Sequence, residues 1–76
     1  MTKMLSANLN TGSETIMKIF SLAKRKGITI VNLFVSDIGE DEFNIEIHYK
    51  ENAGSNFENS MYNIEGVYNI KKSIKF

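Results

Sequence analysis

The sequence predicts an α+β sandwich in which four strands and two helices follow one another as βαββαβ. Three observations carry that expectation. Lys24-Arg25-Lys26-Gly27 reads as the basic end of a helix with its glycine stop, and it runs straight into Ile28–Val35, a stretch with no charge and no proline. Phe43, Ile45, Ile47 and Tyr49 alternate with Asn44, Glu46, His48 and Lys50, the pattern of a strand with one buried face. Around Ile16–Ala23 and Phe57–Ile64, apolar residues recur at three- and four-residue spacing, as on one side of a helix.

In chain order, Leu5, Ala7 and Leu9 alternate with Ser6, Asn8 and Asn10 and make a short half-buried strand. Asn10-Thr11-Gly12 breaks it. Ser13 or Thr11 caps the first helix, with Glu14 favourably placed in its first turn and Ile16, Ile19, Phe20 and Ala23 on its apolar face. The second strand spans Ile28–Val35, with Ile28, Ile30 and Phe34 on one parity and Val31, Leu33 and Val35 on the other. Gly39-Glu40-Asp41-Glu42 is a turn into the third strand, and Asn52-Ala53-Gly54 is a loop. Ser55-Asn56-Phe57-Glu58 has the capping-box spacing, with Ser55 and Glu58 serving each other's free backbone donors. Phe57, Met61 and Ile64 line the second helix, Gly66 ends it, and Val67, Tyr68, Ile70, Ile74 and Phe76 form the last strand between Lys71, Lys72 and Lys75.

The 76 residues make one domain, 1–76, with a core so small that association is the expected extra source of stability. There is no cysteine to supply a disulfide or a thiolate metal site. Nine basic and nine acidic residues cancel, which argues against nucleic acid as a partner. No apolar run reaches membrane-spanning length and the N-terminus has no signal-like stretch, so the expectation is a cytoplasmic protein.

Right-handed crossovers place both helices on one face of an antiparallel sheet of order 4-1-3-2, the ferredoxin-like arrangement. Strands two and four are then edges. The fourth is guarded by Lys71, Lys72 and Lys75, while the second carries only apolar side chains, Thr29 and Asn32. An unguarded edge with two apolar faces invites pairing with another chain. Ile28, Ile30, Val31, Asn32, Leu33, Phe34 and Val35 are therefore the expected dimer interface.

The residues from Ser13 to Val35 resemble an ACT domain, and more closely the small subunit of acetolactate (acetohydroxyacid) synthase. The family pattern is a basic residue, glycine, an aromatic or aliphatic residue, a polar residue, isoleucine, two variable residues, leucine, one variable residue and valine. Lys26, Gly27, Ile28, Thr29, Ile30, Leu33 and Val35 fill those places. The resemblance implies a homodimer joined side by side, a catalytic large subunit as partner, no cofactor of its own, and a place in branched-chain amino acid biosynthesis. It also implies an effector site built from Thr11, Gly12, Ser13 and Glu14 at the first helix, with Thr29 and Ile30. Feedback-sensitive members carry Asn-x-x-Gly where this chain has Thr11 and Glu14, and an asparagine where it has Thr29. Ser13-Glu14-Thr15-Ile16 instead looks like the shorter small subunits, which implies a weak valine response or none.

A helix N-terminus suits the carboxylate of an amino acid, but Glu14 repels it, and the same residues also read as an ordinary capped helix. His48 is the one histidine and is expected to face solvent beside Glu46 without metal or catalytic partners. Glu40-Asp41-Glu42 reads as a solvated turn, Lys24-Arg25-Lys26 as complement to a helix dipole, and Met17 and Met61 as core fillers. Phe43 and Tyr49 share their parity with Ile45 and Ile47, which marks core rather than an RNA-stacking platform. No nucleophile stands near a positioned base, so no catalytic residue is assigned. The expectation is a non-catalytic regulatory subunit of acetolactate synthase. The alternatives are a free-standing ACT sensor controlling another enzyme, or a ferredoxin-like interaction module.

Overall fold

In the computed structural model, residues 2–10, 13–52 and 54–74 are described, the last two as backbone only. The elements are β1 (Lys3–Leu9), α1 (Ser13–Arg25), β2 (Thr29–Gly39), β3 (Glu42–Lys50), α2 (Phe57–Met61) and β4 (Val67–Ile74). The strands form one antiparallel sheet in the order β2-β3-β1-β4, as expected from the sequence. Lys75 and Phe76, assigned to the last strand by sequence, lie outside the described residues, as does Ala53 of the predicted loop.

Alternation builds the core. Leu5, Ala7 and Leu9 of β1 stand opposite Ile47, Ile45 and Phe43 of β3, and together with Tyr49 they form an apolar sheet face. Ile19, Leu22 and Ala23 of α1 and Phe57 and Met61 of α2 close over that same face, so both helices lie on one side. Between β1 and β3 the other face carries mainly polar side chains. There the Asn44 amide donates to Asn8 Oδ1 at 3.0 Å and to the Ala7 carbonyl at 3.2 Å.

The stop at Gly27 is a complete Schellman motif. The Ile28 N–H donates to the Ala23 carbonyl at 2.9 Å and the Gly27 N–H to the Lys24 carbonyl at 3.2 Å. Gly27 has φ +71, and a Cβ built there meets nothing nearer than Asn52 Nδ2 at 3.8 Å. The position needs glycine for its backbone, not for space. Gly27→Ala is therefore expected to cost about 1–2 kcal/mol, read as a lower urea midpoint at unchanged slope.

Several sequence expectations are corrected. The stripe of α1 buries Thr15, Ile19, Leu22 and Ala23, while Phe20 is exposed and Met17, expected in the core, is 64% exposed. The stripe is centred on Ile19, so Leu22 at the third position beyond it faces inward and Phe20 is carried to the rim. The Ser55–Glu58 capping box does not form. Asn56 is the N-cap (φ 48), its side chain accepting from Asn59 N–H at 3.4 Å. Glu51 accepts from Phe57 N–H at 3.0 Å, Ser55 Oγ donates to the Lys26 carbonyl, and Glu58 instead faces Lys72 at 3.7 Å. The helix so capped is short, Phe57–Met61, and Ile64 packs from the turn beyond it.

β2 also runs longer than expected. It starts at Thr29, after the buried Ile28, and continues through Ser36, Asp37 and Ile38 to Gly39. Gly39 stands opposite Glu42, so only Glu40 and Asp41 turn the hairpin, both at positive φ (43 and 62), the signature of a type I′ turn.

Candidate functional site at the open edge of the second strand

β2 bonds to β3 on one side, and no strand of the described residues lies on the other. Its pairing is interrupted twice, between Ile30 and Asn32 and between Asp37 and Gly39. Between those bulges, Asn32–Asp37 run in regular register against His48–Phe43. The first bulge inserts Val31 and shifts the parity of everything after it. Ile30 and Leu33 both pack on the core, and Val35, opposite Ile45, shares their face. Phe34, opposite Glu46, lies on the open face. The simple alternation expected from sequence, with Ile30 and Phe34 on one side, is overturned by this single extra residue.

The edge is apolar and bare. Val31 is 46% exposed, Phe34 54%, Val35 44% and Ile38 52%. From Thr29 to Ile38 the one charged residue is Asp37, whose Oδ1 is engaged by the Gly39 N–H at 2.8 Å. The opposite edge of the sheet differs. β4 presents exposed Lys71 and Lys72, and a bulge opposite Ala7 leaves Asn69 at φ 57. Lysines and bulges are how proteins discourage edge pairing, and on β2 the bulges flank an unguarded segment rather than interrupt it.

On the open face the Phe34 ring has an aromatic neighbour. The His48 ring packs edge-on against it at a centroid distance of 5.6 Å, and His48 Nε2 lies 2.7 Å from Glu46 Oε2. His48 is thus half-buried in a small aromatic and acidic cluster, not simply solvent-facing. Sequence reasoning missed this contact and missed Ile38. The one signal for Ile38 was an apolar residue standing between Asp37 and the turn glycine Gly39.

The expected effector residues do not converge within one chain. Ser13 and Glu14 start α1 at the end of the sheet where β1 finishes, while Thr29 and Ile30 stand opposite Lys50 and Tyr49 at the other end. The six residue steps from Lys3 to Leu9 along β1 separate those ends by about 20 Å. Thr11 and Gly12 lie outside the described residues. A cavity of about 300 Å³ does open beside the start of α1, lined by Asn10, Glu14, Thr15, Lys18, Glu65 and Gly66. Two carboxylates and one ammonium suit a carboxylate ligand poorly.

At the far end, Lys3 Nζ donates to Glu51 Oε1 at 2.7 Å, tying β1 to the loop before α2. Burial pushes the Glu51 carboxyl up. The Lys3 hydrogen bond, the Phe57 N–H and the charges of Lys3 and Lys72 outweigh it and hold the group below its ordinary range. Beneath this cluster the Tyr49 hydroxyl is buried with no hydrogen-bond partner among the described residues. Burial, then the charges of Glu51 and Glu58, push its pKa up to about 12. The folded chain therefore holds a proton that the unfolded chain releases above about pH 10, so stability falls as pH rises from there toward 12. Tyr49→Phe is expected to stabilise the chain by up to about 1 kcal/mol at neutral pH and to flatten that alkaline decline in urea unfolding.

Among the described residues, no three His, Asp or Glu side chains gather as metal ligands, and no helix is long and apolar enough to cross a membrane. No protein-family model matches the sequence, and no curated protein matches it. Solved structures do match the fold. The ACT domain of the GTP pyrophosphokinase of Chlorobium tepidum aligns with a TM-score of 0.74 at 8% identity, over 95% of this chain and 96% of that one. An uncharacterized protein from Thermotoga maritima aligns at 0.74 and 13% identity, over 99% and 96% of the two chains. A formyltetrahydrofolate deformylase from Pseudomonas putida KT2440 aligns at 0.78 and 11% identity over 99% of this chain, which spans 29% of that enzyme's chain. The element order, the sheet order and these alignments agree that this chain has the fold of an ACT domain.

Proposed function

We propose that this chain is a non-catalytic regulatory subunit that pairs with a second copy through β2 and docks on the large, thiamine-diphosphate-dependent subunit of acetolactate synthase. One observation carries the reading: the β2 edge leaves Val31, Phe34, Val35 and Ile38 exposed with no lysine or proline to deter pairing. The likeness of Lys26-Gly27-Ile28-Thr29-Ile30 and of Leu33 and Val35 to the small-subunit pattern supports the choice of this enzyme, and with it the proposal of branched-chain amino acid biosynthesis in the cytoplasm. The subunit activates by binding the active arrangement of its partner more tightly than the inactive one, since only a difference in affinity shifts an equilibrium. The test is reconstitution with purified large subunit. A rise in synthase activity with co-elution is expected, and neither appearing would reject the reading.

A second reading, a free-standing amino-acid sensor, draws on the separation of the effector residues. Antiparallel pairing of β2 turns one copy end for end. It would bring Ser13 and Glu14 of one protomer toward Thr29 and Ile30 of the partner subunit, completing a site that one chain leaves in two halves. Titration calorimetry with valine, leucine and isoleucine separates the readings. Little or no valine heat is expected, because Glu14 and Glu65 line the cavity beside α1. A strong signal with any of the three would favour the sensor.

A further inference from the structure

Resting on the dimer reading above, we propose that the second copy pairs with β2 in one register, Phe34 opposite the partner's Phe34 on the two-fold axis, and so completes a four-ring ridge on the open face. The regular segment decides this. An antiparallel two-fold pair keeps both open faces on the same side, so residues that stand opposite each other share parity. Between the bulges the chain reads Asn32-Leu33-Phe34-Val35-Ser36, a chemical palindrome about Phe34. Centred there, Phe34 meets its own copy on the open face, Leu33 meets the partner's Val35 on the helix face, and Asn32 meets the partner's Ser36. Every opposition from Asn32 to Ser36 is like with like, and Asp37, the last residue of the regular segment, meets the partner's Val31 at its margin.

The neighbouring registers are poorer. Centring on Val35 sets Asp37 against the partner's Leu33 on the helix face and Phe34 against the partner's Ser36. Centring on Leu33 sets Phe34 against the partner's Asn32 and Val35 against the partner's Val31, the residue the bulge displaces. A strand whose pattern is satisfied in one register resists slippage, because a shift misplaces its apolar side chains.

The consequence is a composite surface. Phe34 already has His48 against the flank toward β3, and its other flank faces the free edge. Filling that flank with the partner's Phe34 gives His48, Phe34, the partner's Phe34 and the partner's His48 in a row across the open face. Each copy supplies half, and neither has the ridge alone.

The chain has no cysteine, so single cysteines report cleanly. Directly opposed residues in an antiparallel pair have Cα atoms about 4.5 or 5.5 Å apart, within the range a disulfide spans. Mild oxidation is expected to convert most of Phe34→Cys to covalent dimer on a non-reducing gel, while Leu33→Cys and Val35→Cys stay single chains. An equimolar mixture of Asn32→Cys and Ser36→Cys is expected to cross-link at least ~10-fold more than either variant alone, which reports the register with Phe34 intact. Efficient cross-linking of Val35→Cys or Leu33→Cys, with the Asn32→Cys and Ser36→Cys mixture silent and the native chain sedimenting as a dimer, would overturn this register and leave the dimer standing. A native chain that sediments as a monomer would overturn both.

Discussion

Phe57→Ala is expected to remove about 3–5 kcal/mol of stability and to lower the melting temperature by at least about 12 °C. Phe57 is fully buried, and its ring packs edge-on against Tyr49 at a centroid distance of 5.0 Å. It belongs to a helix of five residues, far too short to persist by its own hydrogen bonds. α2 stays in place because Phe57 and Met61 sink into the core and because Glu51 accepts from the Phe57 N–H. A chain of 76 residues holds on the order of 4–11 kcal/mol in all, so this one truncation takes a large share of it. The exposed Met17 supplies the contrast. Met17→Ala is expected to shift stability by no more than about 0.5 kcal/mol. Thermal melts followed by circular dichroism at one fixed chain concentration check both. A Phe57→Ala melt within about 3 °C of the native chain would mean that α2 is not packed as described.

Phe34→Lys is expected to leave the fold of the monomer intact and to weaken the dimer by at least ~100-fold in Kd. Phe34 lies on the open face, outside the core cluster, and its ring contact is the half-buried His48. Replacing it costs the monomer little. At the axis of a β2 pair the same change sets two ammonium groups against each other, and like charges facing across an interface cost several kcal/mol. Lys71→Glu on the far edge is the matched control and is expected to leave Kd unchanged. Sedimentation of the variants over a concentration series reads the constants, and an unchanged far-ultraviolet spectrum confirms the fold.

What the sequence made legible was local. The helix stop at Gly27 is spelled by adjacent residues: a basic last turn, one glycine, then an isoleucine whose N–H reaches back to Ala23. The alternation of β3 survives intact in the structure because β1 pairs with it from Phe43 to Tyr49 and β2 from Glu42 to Lys50. The bulge at Val31 was not legible, since nothing in β2 itself distinguishes Val31 from Val35. The extra residue is set by how β2 lies against β3, a contact far along the chain. The same holds for the caps of α2. Ser55 and Asn56 are equally good capping residues, and the choice falls to Asn56 where Glu51, anchored by Lys3, takes the Phe57 N–H. On α1, the large Phe20 drew attention from Leu22, although the stripe through Thr15, Ile19 and Leu22 is the one that meets the sheet.

The candidate site divides in the same way. The missing charges on β2 are a property of composition and were visible at once. The extension of the edge to Ile38 was hidden by Asp37, which looks like a strand end but occupies a regular pair with Phe43. The separation of Glu14 from Thr29 follows from strand direction: β1 ends where α1 begins, and β2 begins at the opposite end of the sheet. A resemblance in sequence places both halves in one site, and within one chain the topology holds them at opposite ends of the sheet.

The account rests on β2 as a joining edge, and the mass of the native chain in solution tests it most directly. Sedimentation equilibrium at micromolar concentration is expected to return twice the 8.6 kDa of one chain, and half that value for Phe34→Lys. A native chain that sediments at 8.6 kDa across the whole concentration range would contradict the account.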